Sequence, residues 1–179
     1  MTEKLIFAQT FEGLLRSLTG KLTPRLSAGL KVRGFDPTVA LLPAYPQVVF
    51  IEVMVFLASE LHPGLPSDAG ICALGRGFMD GYGETMVGRA MMAMMRVIGP
   101  RRTLERVSRQ FRTGNNFSET RLSAVGATEY HLWVNECRLP GWYIGLLSRG
   151  LELAGGKAVS VELIHRDEAG GNFGVKWAA

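Results

Sequence analysis

A chain of 179 residues, 47% of them hydrophobic, is long enough to bury a substantial core and short enough that one domain is expected. The 20 Lys and Arg against 16 Asp and Glu give a formal net charge of +4, well short of the balance of a dedicated nucleic-acid-binding protein. The two cysteines, Cys72 and Cys137, exclude a disulfide scaffold and match no metal-ligand spacing. We therefore expect a reduced, cytoplasmic protein with a single domain over residues 1–179.

Apolar segments are interrupted by charged residues. Charges within the N-terminal apolar pattern are untypical of a signal peptide. The two most apolar windows, 48–61 and 86–98, contain Glu52 and Arg89 and are shorter than the ~20 residues that a bilayer crossing needs. We expect no membrane span, and we predict that both windows form buried core helices.

Helical spacing dominates residues 1–113. Thr23 and Pro24 supply an N-cap and a first-turn proline, and Gly99-Pro100 separates two helices. We predict helices over 5–18, from Pro24 to about 34, from Pro46 to 61, from about 67 to 83, over 86–98 and over 100–112. The 86–98 helix has apolar residues around nearly its whole circumference, which is typical of a central buried element.

The period changes from helical to alternating after the turn at 113–116. Residues 130–136 read as a half-buried strand with 117–123 as its hairpin partner, a helix follows from Pro140, and two more strands end the chain. The sequence therefore predicts an α+β fold in which a helical N-terminal layer packs on a small antiparallel sheet. Residues 114–179 would follow a strand-strand-helix-strand-strand order with one crossover helix.

Four motifs carry a resemblance to a known family: Pro43-x-Tyr45-Pro46, Gly99-Pro100-Arg101-Arg102, Phe111-Arg112-Thr113-Gly114-Asn115-Asn116 and Trp133-x-Asn135-Glu136. Together they resemble a paralogue-rich myxobacterial family of unknown function over nearly the whole chain. The layout of the final two-thirds is also similar to the vinyl-4-reductase and TRAPP-type ligand-binding fold. That resemblance implies an apolar small-molecule pocket or a closed core used for dimerisation, and a sensor or adaptor role, although function does not follow from fold alone.

The helix over 100–112 and the turn after it form an arginine-rich surface. Guanidinium groups at helical spacing can bind a phosphate or carboxylate, and the turn can add further donors. The candidate residues are Arg106, Arg109, Arg112, Asn115, Asn116 and Arg121. The alternative is a solvated helix face whose arginines pair with neighbouring glutamates.

Met91 and Met95 are candidates for lining an adaptable apolar pocket, because thioethers fill irregular space, but plain core packing is the favoured explanation. The glycine series over 75–83 is not preceded by a strand and lacks the ending of a phosphate-binding loop, so we assign it to helix packing. The three histidines are scattered, and no serine lies in a nucleophile elbow. We predict no catalytic residue, no metal site and no cofactor.

Three functions remain open. The first is a noncatalytic small-ligand-sensing or protein-interaction domain, homodimeric, whose pocket lies between the methionine-rich helix and the sheet. The second is a regulator that binds an anion, a nucleotide or nucleic acid through the arginine face. The third is an enzyme whose acid and base groups meet only in three dimensions.

Overall fold

The computed structural model describes residues 3–178, which form seven helices and six strands. Their order confirms the predicted α+β class, with helices in the N-terminal part and the larger sheet at the C-terminal end. The elements are β1 (Leu5–Phe7), α1 (Ala8–Ser17), α2 (Pro24–Val32), β2 (Ala44–Pro46), α3 (Gln47–Leu61), α4 (Ser67–Glu84), α5 (Met86–Glu105), α6 (Val107–Gly114), β3 (Thr120–Ala124), β4 (Glu129–Asn135), α7 (Pro140–Leu153), β5 (Lys157–Arg166) and β6 (Gly170–Ala178).

Residues 5–7 are not helical, so the helix predicted over 5–18 is wrong at its start. They form β1, which pairs antiparallel with β2 and places Leu5 opposite Pro46 and Phe7 opposite Ala44. The partner strand lies some forty residues further along the chain, and local apolar spacing carries no information about it. The helix proper starts at Ala8 and contributes Phe11 and Leu14 to the core, both fully buried.

The methionine-rich helix α5 lies at the surface, which corrects the prediction of a central buried element. Met92 and Met95 are buried on its inner side, whereas Met86 and Val97 on its outer side are 78% and 86% exposed. Both faces of this helix are apolar, which is why its sequence resembles that of a buried helix. Within residues 3–178, only the inner face is covered by other parts of the protein. The predicted break at Gly99 is confirmed, since its φ of 77° and ψ of 175° kink α5 there.

Helices α4 and α7 pack so closely that their glycines touch the opposite backbone. A Cβ added at Gly75 would lie 2.8 Å from the carbonyl oxygen of Trp142, and one at Gly145 would lie 2.9 Å from the amide nitrogen of Arg76. The assignment of the glycine series to close helix packing is confirmed for Gly75. This contact joins the middle of the helical layer to the helix that covers the sheet.

The larger sheet has the strand order β3-β4-β6-β5 and is antiparallel throughout. The predicted alternation in β4 is confirmed, because Tyr130, Leu132 and Val134 are buried while their neighbours are half-exposed. Phe173 and Val175 of β6 are buried on the same side. Buried side chains of the sheet and of the helices form one continuous hydrophobic cluster.

Within residues 3–178, no helix is both long enough and apolar enough to cross a membrane.

Candidate functional site

A cavity of about 140 Å³ lies among α1, α3, α4, α5, α6 and α7, next to β1. We call it the helical cavity. The sequence predicted a pocket between the methionine-rich helix and the sheet. The structure agrees in that α5 forms one wall, but helices rather than the larger sheet form the opposite walls. Residues that follow β4, including Glu136 and Arg138, contribute to its edge. The larger sheet lies behind α7 and does not close the cavity, because α7 covers its buried face.

Most of the wall is apolar, and five helices, α3 to α7, contribute apolar side chains to it. The kinked helix α5 contributes from both of its segments, with Met91 and Met95 before Gly99 and Leu104 after it. The other apolar lining residues are Ile6, Phe50, Ile51, Phe78, Met79, Val107, Phe111, Phe117, Leu139, Trp142, Tyr143, Leu146, Leu147 and Leu151. Such a wall favours an apolar ligand body.

Several polar side chains of the wall already have partners within the protein. The Thr10 hydroxyl donates to the carbonyl oxygen of Gly114 at 3.2 Å. The Asn115 side-chain oxygen accepts from the amide of Ser118 at 2.7 Å, and the Glu136 carboxylate pairs with the Lys4 ammonium at 2.7 Å. These groups maintain the wall and the edge, and their hydrogen-bonding capacity is largely used.

Three other polar atoms of the wall have no hydrogen-bond partner. They are the Tyr82 hydroxyl on α4, the Thr103 hydroxyl on α5 and the Gln110 amide nitrogen on α6. Of the five buried unpartnered side-chain atoms in residues 3–178, these three line the same cavity. Buried polar groups are normally satisfied, and an exception calls for a water or a ligand. Their occurrence in the wall of one cavity therefore marks them as candidate polar groups of a binding site.

The cavity phenols stay protonated at neutral pH. Burial raises the pKa of Tyr82, and the neighbouring Thr113 hydroxyl offsets part of that effect. Thr113 donates its own hydrogen to the Gln110 carbonyl oxygen at 2.7 Å. Among the described residues, no group lies in hydrogen-bonding geometry with the Tyr82 phenol. Burial likewise raises the pKa of Tyr143. Tyr82 can therefore serve as a neutral hydrogen-bond donor.

The predicted site residues separate into two groups. Met91, Met95 and Asn115 line the helical cavity. Asn116 lies outside it and ties the N-terminal strand down: its side-chain oxygen accepts from the Leu5 amide at 2.8 Å, and its nitrogen donates to the Glu3 carbonyl oxygen at 2.9 Å.

The predicted arginines do not share one ligand position. Arg112 donates to the Ser118 carbonyl oxygen at 3.2 Å. The Arg121 guanidinium lies 4.6 Å from the centre of the Trp133 ring, and Arg106 contacts the Met94 sulfur at 3.7 Å. Arg109 is exposed. Anion binding by this surface stays a prediction.

Sequence reasoning missed the three unpartnered polar residues, although one signal was present. Thr103, Val107 and Gln110 follow the i, i+4, i+7 spacing of one helix face, and two polar residues on an otherwise apolar face are unusual. Tyr82 gives no such signal, because a tyrosine among apolar residues is ordinary core. Within residues 3–178, no three His, Cys, Asp or Glu side chains converge in a way that could hold a metal ion.

The fold is similar to that of H-NOX proteins. The H-NOX protein from S. oneidensis in the Fe(II)NO ligation state matches with a TM-score of 0.68 and 11% identity over 97% of this chain and 100% of that chain. The Fe(II) unliganded H-NOX protein from K. algicida matches with a TM-score of 0.66 and 12% identity over 95% of each chain. A structure that probes heme distortion in the H-NOX family matches with a TM-score of 0.59 and 14% identity over 95% and 94% of the two chains.

These similarities correct the expected fold relationship, since the structure resembles the H-NOX fold rather than the vinyl-4-reductase type. At such low identity they establish the fold alone. No curated protein matches the sequence significantly. The resemblance to an uncharacterised family is confirmed, while its myxobacterial origin stays a prediction. Residues 4–178 match a family profile, and the chain belongs to the family described as Protein of unknown function (DUF2378).

Proposed function

We propose that this protein is a noncatalytic small-ligand-sensing domain whose ligand binds in the helical cavity. The observation that carries this proposal is the convergence of three unpartnered polar atoms, on Tyr82, Thr103 and Gln110, in one apolar cavity. Apolar walls with a few placed polar groups are the usual composition of small-molecule sites. The similarity to H-NOX proteins, two of them described in Fe(II) states, agrees with ligand sensing at this coarse level.

Heme, which is named for the H-NOX family, does not fit the residues of this cavity. A heme iron is usually held by a histidine or a cysteine thiolate, sometimes by a tyrosine, and by a methionine only together with a histidine. The three histidines lie elsewhere: His62 ends α3, His131 is on β4 and His165 is on β5. The cavity phenols are kept neutral by burial, and about 140 Å³ is too little space for a tetrapyrrole. The proposed ligand is therefore a different and smaller molecule.

The composition of the wall also supports a noncatalytic role. Glu136 is the sole carboxylate of the described lining, and the Lys4 ammonium already pairs with it. General acid-base catalysis requires a titratable group that is free to exchange a proton with a substrate. The lining supplies neutral donors instead, which suit recognition.

The kink in α5 offers a route from binding to a conformational response. Met95 precedes Gly99, Thr103 follows it, and both line the cavity. The two segments of α5 can adopt different angles at this kink. A ligand that contacts both segments and binds more tightly at one angle shifts the protein toward that angle. We therefore place the sensing response in α5.

Native mass spectrometry of freshly purified protein, followed by denaturing spectra of the same sample, tests the binding proposal. We expect a mass excess that disappears on denaturation. Val107→Phe, which fills the cavity, should abolish the excess, and Val97→Phe on the exposed face of α5 is the matched control. An unliganded chain that is also not stabilised by any member of a metabolite library would contradict the proposal.

A second candidate function, protein interaction, is supported by the outer face of α5. Met86, Val97 and Met94 are 78%, 86% and 38% exposed and follow helical spacing, so they form an uncovered apolar stripe. Arg89 and Arg96 lie along one side of it by the same helical spacing, and Arg106 contacts Met94 on the other. Because its flanks are basic, we infer that its partner is an amphipathic helix with acidic flanks on another protein.

Isothermal titration with a designed amphipathic helical peptide tests this surface. A peptide with glutamates beside its apolar stripe should bind, and the same peptide with lysines should not. Val97→Glu should weaken the binding, and its exposure means that the fold should tolerate the change. If light scattering instead shows a dimer that Val97→Glu dissociates, the predicted homodimer uses this face and the heterologous partner is wrong.

A further inference from the structure

We propose that the ligand of the helical cavity is a neutral molecule about the size of a single ring, mainly apolar, with a hydroxyl or carbonyl group that accepts hydrogen bonds from the Tyr82, Thr103 and Gln110 side. This inference rests on the proposed function and names the chemical class of the ligand.

The size of the cavity sets the upper limit on the ligand. Its volume is about 140 Å³. An engineered apolar cavity of roughly 150 Å³ binds benzene, whereas pockets for larger molecules usually span ~300 to 1,000 Å³. A single ring or a short branched chain therefore matches the available space. The methionines at positions 79, 91 and 95 give the wall enough flexibility to follow the ligand's outline.

The unpartnered atoms set the polar chemistry of the ligand. A threonine hydroxyl and a tyrosine phenol can each donate one hydrogen, and a glutamine amide nitrogen only donates. An accepting ligand group can therefore pair with any of the three, whereas a group that only donates cannot pair with the Gln110 nitrogen. Because the three residues lie on α4, α5 and α6, hydrogen bonds from a ligand to these groups would connect it to three helices.

The charges at the cavity favour a neutral ligand. Arg138 is the sole cation of the described lining, and it is exposed at the edge. The one lining carboxylate, Glu136, is paired with Lys4. An anion in the apolar interior would lose its hydration without gaining a buried cation, and a cation would likewise find no free carboxylate. Hydroxyl and carbonyl compounds avoid both penalties.

Three single-ring probes separate these requirements in a calorimetric titration at neutral pH. Toluene has the apolar body alone, phenol adds a neutral hydroxyl, and benzoate carries a charge. We expect phenol to bind about tenfold more tightly than toluene, the equivalent of one net hydrogen bond, and benzoate not to bind. This comparison uses the wild-type protein and needs no variant to fold.

Two threonine substitutions provide a matched test of the polar side. Thr103→Val removes a hydroxyl without a partner, so it should reduce the preference for phenol over toluene severalfold. Thr10→Val removes a cavity hydroxyl that already donates to Gly114, and it should leave that preference unchanged. Tyr82→Phe combined with Thr103→Val should remove the preference almost entirely.

The outcomes distinguish this inference from the proposed function. Equal binding of phenol and toluene would overturn the ligand class and leave a ligand-binding cavity intact. Tighter binding of benzoate would overturn the neutral class in favour of an anion. If no probe binds and native mass spectra show no retained ligand, the proposed function fails as well. A titration with hemin that produced a Soret band lost in Val107→Phe would also overturn the size argument.

Discussion

The α4–α7 contact and the α5–α6 wall of the cavity are packed in opposite ways. Glycines at 75, 141 and 145 bring α4 and α7 into backbone contact, which leaves almost no free space between them. The α5–α6 wall instead has methionines, a kink at Gly99 and unpartnered polar atoms. The comparison indicates that one pair of helices forms a rigid support, while the other surrounds an adaptable site. Proteins commonly place ligand-responsive elements in their less tightly packed regions.

Substitution of Gly145 should have the largest effect. A Cβ there would overlap the Cys72 carbonyl oxygen and approach the Cα of Gly75 at 3.0 Å. Because these are backbone atoms, the helices must separate, and we expect Gly145→Ala to lower the free energy of unfolding by about 3 kcal/mol or more. Gly77→Ala on α4 is the control, since nothing lies within 4 Å of its added Cβ.

Urea denaturation measures both variants. Gly77→Ala should gain about 0.5 to 1 kcal/mol, because alanine restricts the unfolded chain and favours helix. If Gly145→Ala is as stable as Gly77→Ala, the α4–α7 contact is looser than the structure shows.

The two faces of α5 should respond differently to alanine. Met95 is 2% exposed, so we expect Met95→Ala to cost about 2 to 3 kcal/mol of unfolding free energy. Val97 is 86% exposed on the opposite face, so Val97→Ala should lower the free energy of unfolding by less than about 0.5 kcal/mol. Thermal and urea denaturation of both variants test this difference. Equal losses would mean that another surface covers the outer face under the conditions used.

Gly99 tests whether the kink in α5 depends on glycine. Its φ of 77° and ψ of 175° fall in a region that residues with a Cβ rarely adopt, and no atom lies within 4 Å of an added Cβ. Gly99→Ala should therefore cost about 1 to 3 kcal/mol through backbone strain alone. Chemical denaturation measures the cost, and circular dichroism checks the helix content. A stabilised variant with more helix would show that α5 can straighten.

Cysteine labelling compares the α4–α7 contact with the buried segment between β4 and α7, where Cys137 lies, and needs no substitution. Burial raises the pKa of the Cys137 thiol to about 11, so at pH 8 only about one molecule in a thousand carries the thiolate. Iodoacetamide labelling of Cys137 should rise about tenfold per pH unit up to that value. Cys72, half-buried beside the α4–α7 contact, should react faster. Equal rates at pH 8 would indicate that the region around Cys137 opens readily.

Much of the fold could be predicted from local sequence. Thr23 and Pro24 mark the start of α2, and the Thr23 hydroxyl accepts from the Leu26 amide at 3.1 Å. The alternation in β4 and β6 is equally local, because successive side chains on a strand point to opposite faces. The candidate site was predictable only in part. Met91 and Met95 were chosen for their composition, whereas Tyr82, Thr103 and Gln110 lie on three different helices and gave little local signal.

The sequence by itself determined most of the helices, the strands and hairpins of the larger sheet and the break at Gly99, because caps, glycine and apolar periodicity act within a few residues. Only the tertiary structure decided that residues 5–7 pair as a strand, that α5 exposes one apolar face and that unpartnered polar groups converge in a cavity. Each of these features depends on what lies opposite a residue in space. The same local pattern can place an apolar side chain in a core, in a cavity wall or in an exposed stripe. The packing of elements that are distant in sequence decides which of these locations it occupies.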